Sequence, residues 1–229
     1  MDSFLFSWLT GFVGRWPDFD RFAAAMGGDH FLRSAVPVFI FGLCWFAAHD
    51  LERRARLICG LAAMCLATLA SVALQGVLNV HVRPVLDPSL GINPANSPEF
   101  SVWLTSDHSN SFPSDTSTLY FGLATIILLE RRALGVVAMC WTLLVVALPR
   151  VYFGYHYPSD ILAGWVGGSA LTAWAMLARW PSRLVGRLIE PVGSLRPVVD
   201  ALLIVFFADM VNLFGGSRHL ASTLLSFAR

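Results

Sequence analysis

The sequence predicts an all-α protein, a polytopic membrane helical bundle of five or six transmembrane helices with an interfacial helix at its amino terminus. Three observations predict this. Hydrophobic residues make up 56% of the chain and charged residues only 14%, with mean hydropathy +0.63, far from a soluble globular composition. Apolar runs approaching the roughly 20 residues that cross hydrocarbon recur along the chain. Short stretches rich in arginine, proline or glycine separate them.

Residues 3–13 are apolar and aromatic but too short to span, so they read as an interfacial helix. Trp16-Pro17-Asp18 breaks that helix, and a second short one is expected around 18–26. The first span is expected from Phe31 to Ala48, closed by the charged stretch His49 to Arg56. The second runs from Leu57 to about Val80 and is rich in Ala, Gly and Cys, which allow close helix packing. A Pro-, Asn- and Ser-rich loop follows to about residue 112, carrying Asp107-His108-Ser109-Asn110 and an amphipathic piece at 100–104. Pro113-Ser114-Asp115-Thr116 opens a third span to about Leu129, with Ser114 or Asp115 as its cap. The fourth span is expected over 133–148 and the fifth over Pro158 to Leu177. An arginine-punctuated loop, Arg179 to Arg196, precedes a last apolar run over 198–214. That run carries Asp200 and Asp209, read here as structural rather than functional. The whole chain reads as one membrane-embedded domain: interfacial helices over 1–28, a core over 29–178 and a carboxy-terminal extension over 179–229.

Charge and cysteines exclude several classes. A net charge of +1 gives no reason to expect nucleic acid as a partner, and every basic residue is arginine. Cys44, Cys59, Cys65 and Cys140 lie in apolar runs without metal-ligand spacing, so they read as small buried hydrophobes. No metal and no cofactor is expected. No removable signal peptide is evident at the amino terminus.

Orientation follows from the arginines. With these spans, Arg53, Arg54, Arg56, Arg131, Arg132, Arg179, Arg183, Arg187 and Arg196 share one side, against Arg15, Arg21, Arg33, Arg83, Arg150, Arg218 and Arg229 on the other. The positive-inside rule puts the first set in the cytoplasm. In a bacterial inner membrane the second side is periplasmic.

The chemistry gathers on that second side. Pro149-Arg150 to His156 to Asp160 sets an arginine, a histidine and an aspartate between two apolar runs. A neutral imidazole can attack phosphorus, a carboxylate four residues on can orient it, and a guanidinium matches non-bridging phosphate oxygens. Any one of these at a helix end reads as an interfacial anchor. Three together, with Arg83 and Ser114 emerging on the same side, read as a phosphoryl-transfer site. The start of the third span adds backbone amides and a dipole that favour an anion.

These blocks resemble the type-2 phosphatidic acid phosphatase superfamily of lipid phosphate phosphatases, whose pattern is Lys-x6-Arg-Pro, Pro-Ser-Gly-His and Ser-Arg-x5-His-x3-Asp. Here the third block is Pro149-Arg150-x5-His156-x3-Asp160, the second Pro113-Ser114-Asp115-Thr116, and the first only Arg83-Pro84. The resemblance implies His156 as a nucleophile forming a phosphohistidine, Asp160 as its orienting partner, and Arg83, Ser114 and Arg150 as the phosphate cradle, without a metal. Two positions depart from the pattern. Gly76 stands in place of the lysine and Thr116 in place of the histidine that protonates the leaving group. Asp115 resembles the Pro-Ser-Asp variant of bacterial undecaprenyl-diphosphate phosphatases.

Loss of the acid tilts the substrate. An alkoxide needs a proton in the transition state, whereas a phosphate leaving group, with a pKa of about 6, departs with little help. A polyprenyl diphosphate is therefore expected over a monophosphate. Asn79, His81 and His108, with Asp115 and Thr116, are the candidate auxiliary groups. The expected activity is a metal-independent membrane lipid phosphatase. The alternatives are a lipid phosphotransferase with the same intermediate, or a weakly catalytic lipid-phosphate binding or transport protein.

Overall fold

The computed structural model describes residues 2–78, 80, 82–92, 110–189 and 196–211. It is an all-α membrane helical bundle. Helices α1 (Asp2–Thr10) and α2 (Pro17–Gly28) lie at the end of the bundle where the motif residues gather. Phe6 of α1 packs on Tyr157 at 5.2 Å between ring centroids, and the Tyr152 hydroxyl donates to Asp20 of α2. Pro17 sits where its missing N–H costs nothing, at the first turn of α2.

Helix α3 spans His30–Phe46, capped by Asp29, which accepts from the Leu32 amide at 2.8 Å. Helix α4 spans Leu51–Val77. This corrects the sequence reading of 49–56 as a closing loop. Asp50 accepts from the Arg53 amide at 2.7 Å and Glu52 favours the first turn, so the charged stretch starts a helix. Two 3₁₀ turns, Pro84–Leu86 and Pro88–Leu90, follow.

Helix α5 (Asp115–Glu130) is the axis of the bundle, packed by α3, α4 and two later helices, with every residue from Thr116 to Ile127 buried. Apolar on all sides, it fits a helix wholly enclosed by others. Its neighbours are α6 (Arg132–Tyr152), which contains a π-helical segment at Thr142–Ala147, and α7 (Pro158–Leu177). Gly164 and Gly168 let α7 approach closely. A Cβ at Gly164 would meet the Ser114 carbonyl at 2.4 Å, and one at Gly168 the Thr118 carbonyl at 2.3 Å.

Helix α8 (Arg179–Ile189) replaces the expected loop and packs on α4; it turns by 62° from α7. Its Arg183, Leu184 and Arg187 are exposed, as on a helix lying along an interface. Helix α9 (Arg196–Val211) packs on α3. Phe207 packs tilted on Phe41, 4.9 Å between ring centroids, and Asp200 accepts from Trp45 Nε1 at 2.8 Å, so the two helices run antiparallel. Asp200 also pairs with Arg54 at 3.5 Å, consistent with a structural role.

By length and composition α4 and α6 can cross a membrane, and α7 with Pro181–Arg187 of α8 forms a third, bent candidate. Helices α3 and α5, with 17 and 16 residues, are each about 25 Å long. The main core joins Phe41 and Trp45 of α3, Leu57 and Met64 of α4, and Leu119, Leu123 and Ile127 of α5.

Candidate active site

Segments from distant parts of the chain meet around His156. The turn after α6 is shaped by Gly154, whose φ of 72° favours glycine and where a Cβ would meet Ile92 at 2.9 Å. The Arg150 carbonyl accepts from the Tyr155 and His156 amides at 2.8 and 3.2 Å, and the Gly154 carbonyl accepts from Val85 at 2.8 Å. The first contacts fold the turn back on α6. The last docks the Arg83-Pro84 segment against it. Ser114 caps α5, its Oγ accepting from the Ser117 amide at 3.3 Å, and its own amide donates to the Asp160 carbonyl at 3.1 Å. The starts of α5 and α7 are thereby stitched together.

The side chains converge accordingly. Arg83, Ser114, Arg150, His156 and Asp160 are at most 5% exposed. Arg83 donates to the Tyr155 carbonyl at 3.2 Å and lies 3.3 Å from His156 Nε2; Ser114 Oγ lies 3.5 Å from the same nitrogen. His156 Nδ1 is 2.9 Å from the Ser111 carbonyl. A carbonyl only accepts and a guanidinium only donates, so the proton sits on Nδ1 and the Nε2 lone pair faces Arg83 and Ser114.

Asp160 is placed differently from a simple orienting partner on one helical face. His156 precedes the helix, in the turn, and its Nδ1 is 3.7 Å from Asp160 Oδ2. That oxygen accepts from the Tyr157 amide at 2.9 Å, capping α7. The nearest acceptor for the imidazole is the Ser111 backbone, which no side-chain motif could reveal. Burial, reinforced by Arg83 and Arg150, pushes the His156 pKa below its ordinary value, against the opposing pull of Asp160. The ring is neutral at pH 7 and can act as a nucleophile.

Around this centre, Arg150 is buried, and its Nε has no hydrogen-bond partner among the described residues. Asp115 holds its carboxylate in the electrostatic field of His156, Arg150 and Arg83, and accepts from the Thr116 hydroxyl at 3.5 Å. Thr116 itself is buried. Asn79, His81 and His108 lie outside the described residues. At Gly76 an added Cβ meets nothing within 4 Å, while the preceding Gln75 donates to the Pro113 carbonyl at 2.6 Å and steadies the approach to Ser114. Sequence reasoning also missed Arg33, which is buried at the same end. It contacts His30 Nδ1 at 2.6 Å, and Tyr120 lies in the field of both Arg33 and Arg150.

The arrangement sets an unprotonated nitrogen among guanidinium, hydroxyl and helix-start donors, a constellation suited to attack on a phosphate. Among the described residues no cluster of three or more His, Cys, Asp or Glu could hold a metal ion. The family description "PAP2 superfamily" matches residues 56–184, more than half of the chain. The Bacitracin transport permease protein BcrC of Bacillus licheniformis is 34% identical over 74 residues, which cover 31% of this chain and 34% of that protein. The chain thus aligns with only about a third of that relative's length. No solved structure matches. The matched segment contains Arg83, Ser114, Arg150, His156 and Asp160, and on that match the chain belongs to the PAP2 superfamily.

Proposed function

We propose that this protein removes phosphate from a lipid diphosphate, a polyprenyl diphosphate above all, through a phosphohistidine on His156. The observation that carries the reading is the His156 Nε2 lone pair held 3.3 Å from Arg83 and 3.5 Å from Ser114 while Nδ1 is tied to Ser111. Nε2 attacks phosphorus, the bond to the bridging oxygen breaks, and the leaving phosphate takes the electron pair. Arg83, Arg150 and the amides at the start of α5 stabilise charge on the non-bridging oxygens. Asp160 fixes the turn and adds negative charge beside the imidazole. Water then cleaves the phosphohistidine.

The substrate preference rests on Thr116, a residue that cannot act as a general acid at neutral pH. A diphosphate tolerates that loss and a monoester does not. The site faces the periplasm in this reading, supported by the arginine excess at the opposite end of the bundle.

Phosphate release by the purified protein in detergent, with a chelator present, tests the proposal. Release from polyprenyl diphosphate at least tenfold faster than from phosphatidic acid is expected, with an acid-labile phosphoenzyme that His156→Ala abolishes. Turnover that survives His156→Ala overturns the nucleophile. Equal rates on both lipids overturn the leaving-group argument. Binding without turnover in the parent favours the lipid-phosphate binder, and label appearing on an added lipid or sugar acceptor favours the transferase.

A further inference from the structure

A phosphohistidine formed at Nε2 must be opened by water, and the residues that build it supply nothing to take the water's proton. Arg83 and Arg150 are permanent donors, Ser114 caps α5, and Asp160 caps α7 behind the ring. His156 itself carries the phosphoryl group at that stage. A base for this step has to stand beside the phosphate and exchange its proton with solvent. Among the described charged residues of the site, only Asp115 is more than marginally exposed; Arg83, Arg150, His156 and Asp160 are buried.

Asp115 directly follows Ser114, whose Oγ lies 3.5 Å from Nε2, and its carboxylate stands in the combined field of His156, Arg150 and Arg83. It is not needed to cap the helix, because Ser114 already does so. Nor does it help to bind substrate, since an anion within a phosphate cradle repels the incoming phosphate. Its charge suits the first turn of α5, as that of Glu52 suits α4, and its place beside His156 and the two arginines gives it a chemical use as well.

Resting on the reading of His156 as nucleophile, we propose that Asp115 is the general base for the second half-reaction, drawing a proton from the water that attacks the phosphohistidine. The water oxygen forms a bond to phosphorus as its proton passes to an Asp115 carboxylate oxygen. The Nε2–phosphorus bond breaks and its electron pair returns to the imidazole. Inorganic phosphate leaves, and Asp115 releases the proton to solvent. The Thr116 hydroxyl, donating to Oδ1 at 3.5 Å, orients the carboxylate. The site thus lacks an acid for the first step, which a diphosphate does not require, and keeps a base for the second, which every substrate does.

Rapid-quench kinetics with polyprenyl diphosphate labelled in its terminal phosphate separates the two steps. For Asp115→Asn, labelled phosphoenzyme is expected to form at the parental rate and then accumulate, with its breakdown slowed by about 10²–10⁴-fold. Asp115→Ala is expected to behave likewise and to regain breakdown when formate is added. A parent that forms no phosphoenzyme sinks the nucleophile reading itself. A parent that forms one, with Asp115→Asn slowing formation and breakdown equally, leaves Asp115 a structural residue. Tighter substrate binding with unchanged breakdown makes it a counter-ion for the arginines. Either of the last two results overturns the base.

Discussion

At the scale of the residue, the imidazole of His156 is defined by what surrounds it more than by its neighbours in sequence. It is buried between two arginines, with its Nδ1 proton given to a backbone carbonyl. The folded state therefore resists protonation, while the unfolded chain takes a proton near the ordinary histidine value of about 6.5. Below that pH the unfolded state binds a proton that the native state does not, so stability is present above about pH 6.5 and is lost as pH falls towards the depressed native pKa. Melting in detergent at about pH 7.5 and about pH 5.5 should show a larger fall for the parent than for His156→Ala; an equal fall would mean that His156 is not buried neutral. Arg83, Ser114, Arg150, His156 and Asp160 were legible in the sequence because spacing placed them at helix ends on one side. Ser111 was not legible, because it acts through its carbonyl, and Arg33 was not, because a single arginine in an apolar run matches an interfacial anchor equally well.

At the scale of the element, the site depends on how closely α5 and α7 approach. The Ser114 amide reaches the Asp160 carbonyl only because Gly164 and Gly168 leave room for the α5 backbone. Gly168→Ala would set a methyl 2.3 Å from the Thr118 carbonyl and push the helices apart. A displacement of that kind costs about 10²-fold in kcat/KM. Gly167→Ala, whose Cβ meets nothing within 4 Å, should leave the rate unchanged; similar losses in both variants would refute the packing argument. The position of α7 could be read from the sequence, since Pro158 starts it and the apolar run ends at Leu177. The starts of α4 and α8 were missed for one reason. Arginine-rich stretches between apolar runs look like loops, although Asp50 as a cap and the four-residue spacing of Arg179, Arg183 and Arg187 are helix signals.

At the scale of the molecule, the two ends of the bundle are held by different means. Backbone hydrogen bonds and glycine contacts organise the end that holds His156, while the opposite end is tied by ion pairs from adjacent residues of α4. Arg53 Nε donates to Glu130 at 2.7 Å, joining α4 to α5. Arg54, stacked 4.9 Å over Trp45 and bonded to the Ala48 carbonyl, reaches Asp200 and holds α9. Asp200→Ala should cost roughly 2 kcal/mol, less than a fully buried pair because Asp200 keeps 24% of its side chain exposed. It should lower Tm and release α9 to proteolysis while sparing turnover at low temperature; an equal loss of activity would mean that the two ends are coupled. The π-helical segment Thr142–Ala147 connects these scales. One extra residue in a turn rotates everything beyond it by about 100° relative to a regular helix, and what lies beyond it is Arg150. Leu143 and Leu144 within the segment are exposed. Thr142, Val145, Val146 and Ala147 of the segment are buried and pack in the core, so its composition matters on that face and its length matters throughout. Polar substitutions at Leu143 and Leu144 leave that core untouched, but removal of a single residue would turn the guanidinium of Arg150 away from His156.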